Sequence, residues 1–179
     1  ITSASVFPLS LACVTATTTA LVFRGFDPIF AVQLTAADAF VIKQIPLYIL
    51  LGVCCGLMSY YFTSVNSIVG TFVKKIPTQR KRWIFAGVVL GVSIFIFPPL
   101  YGEGYEGMTA LMHGKVSELF DKSLFFKFRN IEWVAILYVT AIMFCKVVAM
   151  ATTNASGGVG GTFAPSLFVG AFMGAIVAL

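Results

Sequence analysis

The last 33 residues of the chain, 147–179, carry no charged side chain, and their middle is broken by "GGVGGTFAP". Four glycines in five positions, with Pro165 close behind, work against a helix. Each glycine costs about 1 kcal/mol relative to alanine in a helix interior. In water such a stretch is an ordinary loop. In hydrocarbon, non-helical backbone survives only where it is buried in protein or lines a water-filled cavity. The solvent around the break therefore decides what the break can be.

Composition identifies that solvent. Charged residues make up 11% of the chain and hydrophobic ones 59%, with a mean hydropathy of +0.95. A soluble domain has about 25% charged residues, and a soluble chain of this length would be a single domain with too few charges to cover its surface. The expectation is an all-α, polytopic membrane protein whose partner is the lipid bilayer. The net charge of +5 comes from basic residues in short gaps between apolar runs, which is the positive-inside pattern. A nucleic-acid site needs instead a basic face with polar or aromatic readers, so no nucleic-acid partner is expected. Cys13, Cys54, Cys55 and Cys145 fall inside apolar runs without C-x-x-C spacing, and His113 is the single histidine. No zinc or other metal site and no cofactor is expected from them. The chain opens directly in an apolar stretch without a basic leader, so no cleavable signal peptide is expected, and it reads as a piece of something longer.

Between the charges lie five apolar runs, roughly 4–23, 44–72, 83–100, 133–153 and 162–179, forming one transmembrane region over 1–179. Each is near the length of about 20 residues that crosses a bilayer. The first contains "ATTTA", whose threonines can bond back to their own helix or across to a neighbour. Pro46 suits the first turn of the second run, and Asp27–Pro28 signals a turn. Lys74, Lys75, Arg80, Lys81 and Arg82, crowded into nine residues, place the 74–82 loop in the cytoplasm. The 24–43 and 101–130 segments are then external. The latter is expected to hold a short helix at 108–113 and an interfacial piece around "LFFKF".

Beyond the glycines, Thr162 and then Pro165 in the first turn start a new helix near the membrane interior. A helix N-terminus presents unpaired N–H groups and a positive dipole end. Such an end attracts anions, and glycine lets a ligand approach the backbone. The alternative is a tight turn between antiparallel spans, with glycines for packing alone. A nucleotide loop is excluded, because neither G-K-[ST] nor G-x-G-x-x-G can be read here. Lys146, 13 residues beyond Trp133 and so about 20 Å along the helix, is a candidate for pore electrostatics; the alternative is a snorkelling side chain. Glu103 and Glu106 in "GEGYEG" have no nucleophile or histidine at suitable spacing for acid–base work and are expected in a solvated loop. His113, beside Gly114, is expected to cap a helix C-terminus.

"GGTFAPSLFVGAFMGA" resembles the third signature, G-x-F-x-P, of the CLC family of chloride channels and H⁺/Cl⁻ antiporters, at Gly161 to Pro165. "FCKVVAMATTNASGG" resembles that family's preceding helix, with a basic residue at Lys146, and "PPLYGEGYEGM" resembles its glycine-rich approach to a short helix. The order of these matches holds along roughly the whole chain. The resemblance implies a CLC-like inverted-repeat fold with broken helices, present in part: residues 1–23 end the first half and the rest begins the second. It implies transport of chloride or another small anion, as a channel or proton-coupled exchanger, rather than an enzyme. It also implies a multi-pass homodimer in the plasma membrane. The backbone N–H groups of Thr162 and Phe163 are then expected to help hold chloride as substrate, with Gly161 and Ala164 completing the turn. The family's G-S-G-x-P and G-[RK]-E-G-P motifs and its late pore tyrosine do not occur in these residues, and its proton-transfer glutamate is expected before Ile1. Two rivals stand beside this reading. A cation-coupled transporter could use the same broken helix, and a membrane-embedded enzyme would need clustered His, Asp or Glu in the spans, which offer only Lys146.

Overall fold

The computed structural model describes residues 3–25, 44–121, 123–129 and 131–178; the expected turn at Asp27–Pro28 lies outside the described residues. Every regular element among them is helical. The chain divides into two units, Ile1–Ala39 and Phe40–Leu179. In the first, α1 runs Ser3–Arg24. The hydroxyls of Thr15, Thr17 and Thr18 donate to the carbonyls of Leu11, Cys13 and Val14, each at 2.8 Å. This back-bonding hides their polarity inside the helix's own backbone, while Leu11, Val14 and Val22 are exposed.

In the second unit, α2 spans Ile45–Lys74, with Pro46 in its first turn, where its missing N–H has no helical partner to lose. At 30 residues it is about 45 Å long, enough to cross a bilayer with tilt. Its end is closed by a residue of the next helix: the Arg82 guanidinium donates to the last helical carbonyl, Lys74 O, at 3.0 Å and to Ile76 O, just beyond the helix, at 2.8 Å. A cation is also favoured there by the helix dipole.

α3 runs Gln79–Ile96, a correction to the expected 83–100. Arg80, Lys81 and Arg82 are good helix formers, so the helix starts inside the basic run: charge marks where lipid begins, not where the helix does. The other end is set by Pro98–Pro99. A residue before proline is pushed out of the helical region, and Phe97 sits at φ −124°, ψ 81°. A 3₁₀ turn, Pro98–Leu100, follows.

The short helix α4 is Tyr105–Met112, three residues earlier at its start than expected, because Gly104 at φ +88° turns the chain into it. His113 is its C-cap as expected. Gly114 (φ +69°) follows, with Lys115 N donating to Ala110 O at 2.8 Å and Gly114 N to Leu111 O at 3.0 Å. Those paired bonds are a Schellman cap. Two further 3₁₀ turns, Val116–Phe120 and Phe126–Phe128, lead onward. The "LFFKF" segment divides: Phe125 docks on Tyr138 with ring centroids 5.7 Å apart, while Phe126 is exposed beneath the Arg129 guanidinium.

α5, Glu132–Ala155, is the centre of the unit and packs against α2, α3 and α6. Tyr138, Val139, Ile142, Met143, Lys146 and Val147 are buried, spaced three and four apart as one helix face demands. α6, Phe163–Ala178, lies against α5, α4 and α2 and buries Phe168, Val169 and Phe172. Two helices, Ile45–Lys74 and Trp133–Ala155, are long and apolar enough to cross a membrane. The side chain of Gln79 at the start of α3 donates to Ser156 O at the end of α5, at 2.7 Å. The basic loop and the glycine break therefore lie at the same end of the unit.

Candidate functional site

The glycines of the break do different things. Gly157 stands at φ +91°, a conformation side chains disfavour. Its N–H donates to Asn154 O at 3.2 Å and that of Gly158 to Thr153 O at 3.0 Å, so α5 also ends in a Schellman cap. A Cβ on Gly158 would lie 2.9 Å from Thr153 O, and one on Gly160 would lie 2.7 Å from Asn154 Oδ1. Gly161 is different: a Cβ there would meet nothing within 4 Å. Gly157 and Gly158 are required by the turn itself, and Gly160 packs against the Asn154 side chain. The fourth faces open space.

That space is a cleft of about 550 Å³. One wall is Gly160, Gly161, Phe163, Ala164 and Pro165; the others come from α3, from the Leu100–Tyr105 lead-in to α4 and from α5. At the start of α6, Ser166 N donates to Thr162 O at 3.0 Å, the first bond of the helix. Pro165 has no N–H to offer. Among the described residues, the amides of Gly161, Thr162, Phe163 and Ala164 donate to no protein acceptor. Of the four residues expected to hold an anion, Gly161, Phe163 and Ala164 line the cleft, whereas Thr162 is exposed outside its lining. The donors of a helix N-terminus thus border a concave space.

Lys146 opens on the same cleft but does not snorkel. It is only 5% exposed, and its Nζ donates to Leu100 O at 3.1 Å and Gly102 O at 2.7 Å. It also lies 4.9 Å from the centre of the Phe168 ring. It shares the cleft lining with Gly160 and Gly161 of the glycine break. Glu103 is exposed in the loop before α4, as expected, but its place in the cleft lining was missed. Glu106 is exposed in the first turn of α4, where the dipole favours an acid. Met150, Thr153 and Asn154 were also missed. Their spacing of four, seven and eight from Lys146 puts them on its helix face, a signal that was available in the sequence.

Among the described residues no group of three or more His, Cys, Asp or Glu comes together, and the four cysteines are free. The cleft therefore offers backbone amides, one buried cation and one carboxylate. Backbone amides at a helix N-terminus and a nearby cation are groups that can hold a small anion.

Comparison with known proteins points the same way. The family model for the voltage gated chloride channel matches residues 1–179. A ClcB-like chloride channel protein of Ralstonia nicotianae is 26% identical over 175 residues, covering 97% of this chain and 36% of its own length. Chloride channel protein CLC-e of Arabidopsis thaliana is 29% identical over 169 residues, covering 92% of this chain and 22% of its own. Chloride channel protein CLC-f of the same plant is 30% identical over 143 residues, covering 74% and 16%. The chain thus spans between 16% and 36% of the length of these relatives. No solved structure matches it at comparable stringency. With an all-helical fold and a match over its whole length, the chain belongs to the voltage gated chloride channel family of integral membrane proteins.

Proposed function

We propose that the protein carries chloride or a similar small anion across the membrane, and that the amides opening α6 form one wall of its pathway. The observation that carries this is the set of undonated N–H groups at Gly161 to Ala164 beside a cleft that also receives Lys146. An anion at a helix N-terminus gains about 0.3–2 kcal/mol. Desolvating an isolated charge costs tens of kcal/mol. One helix end is therefore too little by an order of magnitude, and further donors must converge on the same ion. Lys146 adds positive potential to the wall, and its buried position strengthens that contribution. The relatives' names, all chloride channel proteins, support the same substrate. The proposal is for a transporter or channel, not an enzyme, working as a homodimer in the plasma membrane and needing no cofactor beyond the transported ion.

Flux from liposomes holding the full-length protein tests this. Chloride efflux well above that of empty vesicles, with no matching sodium efflux, is the expected result. Sodium efflux coupled to solute, or no ion movement at all, would overturn it.

A further inference from the structure

The three contacts of Lys146 reach beyond its own helix to two other elements. From α5 its ammonium donates to Leu100 O and Gly102 O in the lead-in to α4, at 3.1 and 2.7 Å. It also faces the ring of Phe168 on α6. An ammonium has three protons to give, and two of them are held by carbonyls. Phe168 is completely buried and stacks on Phe172 with centroids 3.9 Å apart. Gly104 lies against the same arrangement, since a Cβ there would overlap the Phe168 ring and stand 3.6 Å from Lys146 Nζ. The ring thus packs against a glycine with no room for a side chain and a cation anchored to two carbonyls. Phe168 is five residues into α6 from Phe163, about 7.5 Å along the axis. Wherever the ring is held, the first turn of α6 is held too.

We propose that Lys146 is a positioning residue, clamping the Leu100 and Gly102 carbonyls over the Phe168 ring so that the first turn of α6 stands at a fixed distance from the facing wall of the cleft. It thereby helps decide which anion sizes fit. This deepens the anion-transport reading and rests on it. A charge acting at a distance attracts chloride and iodide nearly alike, because Coulomb energy depends on charge and separation. A displaced wall discriminates between them by radius. The two roles therefore differ in what they do to a ratio.

The test uses the full-length protein in liposomes and compares chloride with iodide flux. Phe168→Leu keeps the Lys146 charge and most of the apolar volume but removes the ring. Phe168→Leu and Lys146→Met should each shift the chloride-to-iodide ratio at least about threefold, in the same direction, with about thirtyfold as the full equivalent of a desolvated cation–π contact. The double variant should shift it no further than the larger single change, because the two residues act through one contact. Lys146→Arg, which keeps the charge, the donors and the stacking on a ring, should restore the ratio. If Lys146→Met fails to assemble, Phe168→Leu alone decides. Equal loss of both halides in Lys146→Met, with Phe168→Leu at the wild-type ratio, overturns the positioning role and leaves chloride transport standing. A wild-type protein that passes neither halide overturns both.

Discussion

The two helix ends that meet at the glycine break are built in opposite ways. α5 finishes closed: Gly157 and Gly158 return their N–H groups to Asn154 O and Thr153 O, and Gln79 takes Ser156 O. α6 begins open: Thr162, a residue type favoured as an N-cap, makes no side-chain bond there, and the neighbouring amides donate to no protein acceptor. The chemistry needed to close a helix end is present within the same few residues and is applied on one side only. Unpaired backbone in a membrane is tolerated where it lines a cavity, and the open end is the one that borders the cleft. The closed end is architecture, and the open end is the site proposed for the anion.

If that division is right, substitutions at the break separate stability from ion binding. The largest loss of stability is expected at Gly158→Ala, whose Cβ would press on the Thr153 carbonyl at 2.9 Å. Backbone cannot swing aside, so about 1–3 kcal/mol is lost, as for other overpacked positions. Gly157→Ala comes next, at about 1–2 kcal/mol for a side chain in the left-handed region; the Gln79 amide it meets is a flexible side-chain end and can move. Gly161→Ala should be nearly silent, within about 0.5 kcal/mol. Thermal unfolding of the full-length protein in detergent reads the series. A different order, with Gly161 the most sensitive, would erase the distinction between the ends.

A second prediction sharpens where the two ends lie. In a cysteine-free background, single cysteines at Thr78 and Val159, both exposed, should react with an impermeant thiol reagent from the same side. The Gln79–Ser156 bond places them at one end of the unit, and the positive-inside pattern makes that side the cytoplasm. A cysteine at Leu124 should react only from the other side. Its neighbour Phe125 packs on Tyr138, near the opposite end of α5. Labelling of all three from one face would reject the topology. The smallest effect is expected at Thr162→Ala. Its hydroxyl makes no bond and lies off the cleft, so chloride affinity and stability should both stay within about 0.5 kcal/mol of wild type.

Much of this was legible before any coordinates. The charge-free run, the broken helix with Pro165 in its first turn and the cap at His113 all follow from local chemistry: helix propensity, missing N–H groups and the backbone freedom of glycine. The start of α3 was misplaced because a basic run was taken as a loop, although arginine and lysine extend helices well. The burial of Lys146 was not legible. Its carbonyl partners lie 46 and 44 residues away, in a lead-in shaped by Gly102 and Gly104, and no local pattern encodes that meeting. The place of Glu103 in the cleft lining escaped for the same reason: only the fold brings that exposed loop to the cleft.

The most direct test is calorimetric titration of chloride into the full-length Gly161→Val protein, with its melting temperature measured alongside. Gly161 does not have positive φ, and a Cβ there meets no protein atom within 4 Å, so valine is accommodated by the fold while its methyls fill the space an anion would use. An open, ion-holding helix end predicts near-wild-type melting together with loss of chloride binding. Wild-type chloride affinity in a normally folded Gly161→Val protein would contradict it.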